Sequence, residues 1–357
     1  MIWTKEPYTA LNDTLTAVGE KDYSDLRNQV REQGLFMKRP LNYSAKIFLT
    51  LALLGTSIAS IVVFDSIWIH VINAAFLAFI CGQLTFFVHD AGHNQIFTSG
   101  SKNRIAGIWL SSLLLGGSSS WWIDKHNRHH VSPNVGGSDP DIAIPVLAFS
   151  QEDALGKRGL VKFIVKYQVF LFFPLLIFEA FNLRYNSINH LRKKRLSDSW
   201  DSIALALVHH VIYLGLLFYF LGAWQAVVFI AVHHALLGLY LGCTFATNHI
   251  GMPVLKGNEN LDYIRLQTLT ARNLKESWVT GYLFGGLDSQ IEHHLFPTIP
   301  RASFADLRKI VKPFCKERSI EYCEVGFIKA YVGVLKHLHE VGAPLRQRRL
   351  VASPTSV

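Results

Sequence analysis

Histidine is the residue type whose number and spacing could do chemistry here. The chain has sixteen histidines in 357 residues, and seven of them fall in three short clusters. His89 and His93 stand in His89-Asp90-Ala91-Gly92-His93. His126, His129 and His130 stand in His126-Asn127-Arg128-His129-His130. His293 and His294 close Gln290-Ile291-Glu292-His293-His294. On a helix, residues four apart lie about 40° apart around the axis, so His89 and His93 can aim at one point. His126 shares a face with both His129 and His130, while those two diverge by about 100°. Neighbouring imidazoles that point apart suit a site with two metal ions. An eighth, His249, stands in Asn248-His249-Ile250-Gly251. Each cluster alone is a weak signal. A pair at i,i+4 arises by chance, and a lone histidine at a helix end is most often a cap or an interfacial residue. Together, eight buried imidazoles without a metal would repel one another on charging and serve little structural purpose. They exceed what one four-coordinate zinc takes and suit two ions with about four each. Imidazole accepts iron, zinc, copper and nickel, so the ligand type does not choose the metal.

The elements that must deliver these side chains are membrane helices. Half of the residues are hydrophobic and 17% are charged, against roughly 25% charged in ordinary soluble domains. Mean hydropathy is positive. Four apolar runs are long enough to span a bilayer, at about residues 47–64, 67–88, 203–221 and 224–247, paired into two hairpins by short turns. Two further apolar stretches, 105–117 and 163–183, read as interfacial or re-entrant. The first is short, and the second carries Pro174 and Glu179 inside it and Lys162 and Lys166 near its start. The expected fold is therefore an all-α integral membrane protein: four transmembrane helices in two hairpins, with a cytosolic helical cap holding a di-metal centre. Residues 1–45 form a cytosolic N-terminal segment, 46–330 the membrane domain, and 331–357 a C-terminal cytosolic helix and tail. In the cap, Ser303 with Asp306 marks a helix start, followed by the apolar spacing Leu307, Ile310, Val311, Phe314.

Charge sets the orientation. Lys157, Arg158, Lys162, Arg192, Lys193, Lys194 and Arg195 cluster together, whereas the turns at 65–66 and 222–223 carry no Lys or Arg. The positive-inside tendency puts the cluster, both termini and all eight histidines in the cytosol. The net charge of +9 is explained by these loops, and no basic, aromatic-interleaved stripe points to nucleic acid. The four cysteines make no CxxC pair, which argues against a disulfide framework or a thiolate zinc site. No signal peptide, retention or lipidation signal is evident. His209, His210, His233 and His234 sit in mid-span and read as packing or interhelical hydrogen bonding.

HxxxH, HxxHH and QxxHH, in this order between paired spans, resemble the membrane fatty-acid desaturases. Gln in place of the third cluster's first histidine is similar to the front-end and related bacterial acyl desaturases, as are the stretches HDAGHNQIF (89–97) and QIEHHLFPTIPR (290–301). The resemblance covers about residues 45–330. It implies a non-haem centre of two iron ions, O2 as co-substrate, no bound haem or flavin, and two electrons from a carrier. By position the implied ligands are His89, His93, His126, His129, His130, His293 and His294, with His249 as an extra ligand. Some relatives have Asn four residues before that histidine. Phe245 stands there in this chain, leaving a water, Asn248 or Gln290 to complete the shell. Asp90, Asp139 and Asp141 could orient imidazole N–H groups or could cap loops. Trp121, Trp122 and Phe86 could line an acyl tunnel, or the tryptophans could anchor the interface.

The substrate implied is a long-chain acyl-CoA or acyl-lipid, with membrane lipids around it. Many front-end members carry a fused cytochrome b5 domain with a His-Pro-Gly-Gly motif. That motif is missing from this sequence, so the expected electron donor is a separate ferredoxin-like, cytochrome b5-like or NAD(P)H-dependent protein, docking at Lys193, Lys194 and Arg195. For the same reason the bacterial inner membrane is the expected location ahead of the endoplasmic reticulum. Histidine spacing leaves open a hydroxylase on the same scaffold. A receptor with structural zinc, or a haem protein using His210 and His234, are the more distant rivals.

Overall fold

The computed structural model describes residues 13–193 and 200–347. Residues 1–12 and 348–357, in the predicted N-terminal segment and tail, lie outside the described residues. So do Lys194 and Arg195 of the predicted docking cluster. Among the described residues the chain is helical apart from one parallel pair, β1 (Asn273–Leu274) with β2 (Glu324–Val325). The helices run α1 (Asp13–Glu32), α2 (Pro40–Val63), α3 (Ile67–Gly92), α4 (Gly100–Ile108), α5 (Ser119–Val131), α6 (Gln151–Gly156), α7 (Gly159–Lys166) and α8 (Gln168–Leu176). There follow α9 (Glu179–Lys193), α10 (Trp200–Leu221), α11 (Ala223–His249), α12 (Tyr263–Leu269), α13 (Trp278–Leu283), α14 (Gln290–Leu295), α15 (Phe304–Glu317) and α16 (Phe327–Gln347).

Four of these, α2, α3, α10 and α11, are long and apolar enough to cross a membrane. They form two hairpins, and the turn between α2 and α3 is only Phe64, Asp65 and Ser66. The four helices differ in what surrounds them. The apolar core of α3 is 67% buried and that of α11 44%, whereas α2 and α10 are 17% and 6% buried. The inner pair thus builds the protein core and the outer pair turns its apolar side chains to lipid. Small residues let the inner helices approach their neighbours. A Cβ on Gly238 of α11 would stand 2.5 Å from the Leu176 carbonyl and 2.9 Å from the Ala180 nitrogen, so the α8–α9 junction sits directly against α11.

The segment after α5 does not run straight. Helices α7 and α8 meet at a bend of 102°, and neither alone is long enough to span. Helix α4 continues as a π-helical turn, Trp109–Leu114, which packs between α3 and α10. There Gly116, at φ 68°, lets the chain turn beneath the α10 histidines, with the His209 Cδ2 only 2.4 Å from where a Cβ would be. The mid-span histidines bond locally. His209 Nδ1–H donates to the Leu113 carbonyl at 2.9 Å, His210 and His234 donate to carbonyls one turn back, and Tyr213 pairs with His233 across the hairpin at 2.8 Å.

The cap packs beneath the inner helices. Helix α15 turns Leu307, Val311 and Phe314 inward, with Ile310 packed against the same core. It begins one residue after Ser303, but Ser303 does not cap it: no side-chain cap bond forms and its hydroxyl is buried without a partner. Helix α1 is tied to this core, since Asp22 pairs with Arg265 and Arg318 at 3.1 Å each and the Tyr23 hydroxyl donates to the Leu295 carbonyl.

Candidate metal centre

The eight clustered histidines arrive from four helices and come together at one end of the inner pair. His89 and His93 stand at the end of α3, where the apolar run gives way to Asp90. His126, His129 and His130 lie on α5, His249 is the last residue of α11, and His293 and His294 lie on α14. His89, His93, His129, His293 and His294 are buried, and His126, His130 and His249 are half-buried.

Two groups form. In the first, His89, His93, His126 and His293 bring ring nitrogens within 4.8 Å of one another. His130 joins them, its Nε2 at 3.1 Å from His126 Nε2 and 3.0 Å from His293 Nε2. In the second, His129, His249 and His294 do the same. Both doublets therefore divide: His130 and His293 face one group, His129 and His294 the other. Within each doublet the rings stand nearly perpendicular, at 80° for His129–His130 and 88° for His293–His294. Successive residues leave a helix about 100° apart around its axis, which lets neighbours in a doublet reach different groups.

The far side of these rings decides what the near side can do. His129 Nδ1–H donates to the Asp139 carboxylate at 3.0 Å. His249 Nδ1–H donates to the Thr270 carbonyl at 2.9 Å. His294 Nδ1–H donates to Gln267 Oε1 at 2.7 Å, while the same amide gives its Nε2–H to the His130 carbonyl at 2.9 Å. With each Nδ1 holding the proton, all three Nε2 atoms carry lone pairs that converge, His129 and His249 at 3.3 Å. In the first group His89 donates to Asp90 at 3.2 Å and turns its Nε2 to that of His293 at 3.0 Å. The buried His93 Nε2 and His294 Nε2 have no hydrogen-bond partner. Facing lone pairs in a buried space repel unless a cation lies among them, so the donor set fits metal ions.

Burial, and then the neighbouring imidazoles, hold His93, His126, His130, His293 and His294 well below the ordinary histidine pKa. These rings stay neutral, as ligands must. His129 differs. Burial works to lower it, but Asp141 and Asp139 outweigh burial and raise it. Asp141 itself is held low by Lys125 and His129 against the effect of burial, and Lys125 and Asp141 form a close ion pair.

The other sequence-predicted residues fall as follows. Gln290 stands beside the second group, its Nε2–H at 3.0 Å from His249 Nε2, and Asn248 Nδ2–H donates to its Oε1 at 2.9 Å. Asp90 joins His89 on one side and pairs with Arg301 at 2.9 Å on the other. Trp122 stacks on His126 at 4.4 Å, whereas Trp121, on the same turn, makes no ring contact with a histidine among the described residues. Phe86 is buried in a cluster with Leu274, Phe284 and Leu287. A cavity of about 440 Å³ opens one residue further along α3, lined by Gln83 and Phe87 and not by Phe86, Trp121 or Trp122.

Several supporting residues were not singled out from the sequence. Gln267 and Thr270 lie in and after α12 and fix two tautomers. Arg272 grips the end of α11 by donating to the carbonyls of Thr247 (2.6 Å and 2.8 Å) and Ile250 (3.0 Å), which holds His249 in place. The fully buried Glu292 accepts from Asn273 and Tyr322 at 2.7 Å each, anchoring α14. Gln267, Thr270, Arg272 and Asn273 lie in a mixed polar and apolar stretch where nothing in the sequence set them apart.

Fold and site together define a helical membrane protein with four candidate spans among the described residues and, at one end of its inner helices, a histidine cluster that fits metal ions. The sequence matches the family described as fatty acid desaturase over residues 66–326, and the chain belongs to that family. It is 30% identical over 342 residues to an acyl-lipid (9-3)-desaturase of Physcomitrium patens, covering 93% of this chain and 65% of the relative. It is 29% identical over 341 residues to a delta(8)-fatty-acid desaturase of Helianthus annuus, covering 91% and 74%. It is also 28% identical over 326 residues to a delta(5) fatty acid desaturase of Caenorhabditis elegans, covering 87% and 72%.

Proposed function

We propose that this chain is an O2-dependent fatty-acyl desaturase that places a cis double bond in a long-chain acyl group, at a centre of two iron ions held by its histidines. One observation carries this: both histidine doublets divide between two clusters of converging lone pairs, on the framework of the desaturase family. His89, His93, His126, His130 and His293 would hold one ion, and His129, His249 and His294 the other, with Gln290 beside the second. Bound there, iron with O2 supplies the oxidising strength that amino-acid side chains lack for removing hydrogen from an unactivated methylene.

The chain's own residues do the rest. Asp139, the Thr270 carbonyl, Gln267 and Asp90 hold the imidazoles in the tautomer that presents Nε2. Trp122, stacked on His126, and the buried helix α14 keep bulk water from the centre. The histidines and both termini face the cytosol, in a bacterial inner membrane or the endoplasmic reticulum. The relatives named above are all eukaryotic. Electrons come from a carrier protein that docks on the cytosolic surface. The acyl group rides on a lipid or on CoA.

The test is expression in a host that lacks this unsaturation, with fatty-acid profiling of wild type and His129→Ala and metal analysis of the purified protein. New double bonds from wild type alone, with iron near two per chain, are expected. Equal unsaturation from both proteins would refute the ligand assignment. A product that gains oxygen in place of losing two hydrogens would make the enzyme a hydroxylase.

A further inference from the structure

Helix α7 packs on its neighbours by one face and turns the rest of its surface outward. Its placement follows from α8. At the start of α8 the Gln168 amide donates to the Ala148 carbonyl, before α6, at 3.0 Å and to the Leu338 carbonyl of α16 at 3.2 Å. At the end of α8, Leu176 lies against Gly238 and Gly242 of α11. Those glycines precede His249 by roughly two to three turns, or about 10–16 Å. Helix α8 therefore runs from the level of the histidines into the bilayer. Helix α7 meets it at 102° and so lies nearly in the membrane plane, on the side that carries the histidines.

Three arcs divide α7. Counting round the helix from Lys162, Lys166 lies at about 40°, Phe163 at about 100° and Leu160 at about 160°, with Val161 and Val165 at about 260° and 300°. The two valines pack with Ala154 of α6 and with Val341 and Leu345 of α16. On the arc facing away from them, Leu160 is 75% exposed and Phe163 57%. The basic side chains run between these arcs, and Arg158 at the N-cap continues their row. The carboxylates on the elements packed against α7 are Glu152 and Asp153 of α6 and Glu340 of α16. Asp153 pairs with Lys157 at 3.2 Å and Glu340 with Lys336 at 3.9 Å. Among the described residues Glu152 forms no ion pair, and neither do Arg158, Lys162 and Lys166. Arg346 of α16, donating to the Lys166 carbonyl at 2.8 Å, adds a further positive charge. The local balance is therefore strongly basic.

We propose that α7 is a site for anionic phospholipid. Leu160 and Phe163 enter the acyl region of the leaflet, and Arg158, Lys162 and Lys166 hold negatively charged headgroups beside them. A helix lying in the interface with Lys and Arg flanking its apolar face takes up lipids of this kind. A water-soluble acidic partner fits less well, because it would have to cover an exposed phenylalanine and leucine whose apolar surface continues onto Phe170 of α8, 74% exposed.

The test uses the full chain in phosphatidylcholine nanodiscs, with a bimane fluorophore at Leu160→Cys. Cys243→Ser and Cys323→Ser remove the two cysteines that are not buried. Trace lipids with a nitroxide high on one acyl chain quench the fluorophore on contact. At equal mole fraction, the phosphatidylglycerol probe should quench about fivefold more effectively than the phosphatidylcholine probe, equivalent to ~1 kcal/mol. High salt should shrink that preference. Arg158→Glu with Lys162→Glu should abolish it while leaving quenching by the phosphatidylcholine probe unchanged, which also shows that the variant is folded. Quenching by neither probe would put the outer arc in water and overturn the proposal. Equal quenching by both probes before the charge swaps would overturn it as well.

Discussion

Replacing Gln267 by leucine isolates the part played by a side chain that touches no metal position. Gln267 is fully buried, and both ends of its amide are used: Oε1 receives the His294 Nδ1–H at 2.7 Å, and Nε2–H goes to the His130 carbonyl at 2.9 Å. Leucine fills nearly the same space but leaves two buried polar groups unpartnered. At about 1–3 kcal/mol for each such group, stability should fall by about 2–6 kcal/mol. Loss of the acceptor also frees the His294 ring to turn and to change tautomer, which should weaken metal binding about 10- to 100-fold. The assay is iron(II) retention by purified protein against a graded chelator, alongside thermal unfolding. Gln267→Glu is the informative companion. It keeps an acceptor for His294 but sets a carboxylate against the His130 carbonyl, so it should retain most of the metal affinity while losing stability. Wild-type iron retention in Gln267→Leu would refute the orienting role. So would a glutamate variant as poor in iron as the leucine variant.

Asp139 accepts from His129 and from the backbone N–H groups of Asn134 and Asp141. Asp139→Asn should keep the fold and lower product formation about 10- to 100-fold, measured as new unsaturation per unit of membrane-inserted protein. Arg272→Met removes the donors that hold the Thr247 and Ile250 carbonyls. The midpoint of thermal unfolding should drop in line with a loss of about 2–3 kcal/mol, and Arg272→Lys should recover part of it. Gly116→Val puts a branched side chain at φ 68° and against His209. Backbone strain of about 1–3 kcal/mol, added to the clash, should sharply reduce monodisperse protein on size-exclusion of solubilised membranes.

The four long helices and the divergence of His129 from His130 were legible in the sequence for a simple reason. Each depends on local quantities: the length of an apolar run, and the rotation per residue of a helix. The bend of 102° between α7 and α8 was visible only as a conflict between an apolar run and its internal Pro174 and Glu179. What escaped is what depends on chain folding back from far away. Gln267, Thr270, Arg272, Asn273 and Tyr322 lie in short, aperiodic segments, and their partners are 19 to 137 residues distant. The choice between neighbours also needed three dimensions. Phe87, not Phe86, lines the cavity, and Trp122, not Trp121, stacks on His126, because helical phase relative to the packed neighbours decides each case. Ser303 marked the start of α15 correctly, although its hydroxyl forms no cap bond and lies buried.

Side-by-side residues on α5 and α14 serve both groups of nitrogens, and this would tie together the fate of the two ions proposed above. A small roll of either helix that withdraws one imidazole withdraws its neighbour too, so departure of one ion loosens the grip on the other. A population of these molecules titrated with metal should consist of full and empty chains with few half-filled ones. In a cell short of iron, scarcity would then reduce how many molecules work and leave the speed of each unchanged.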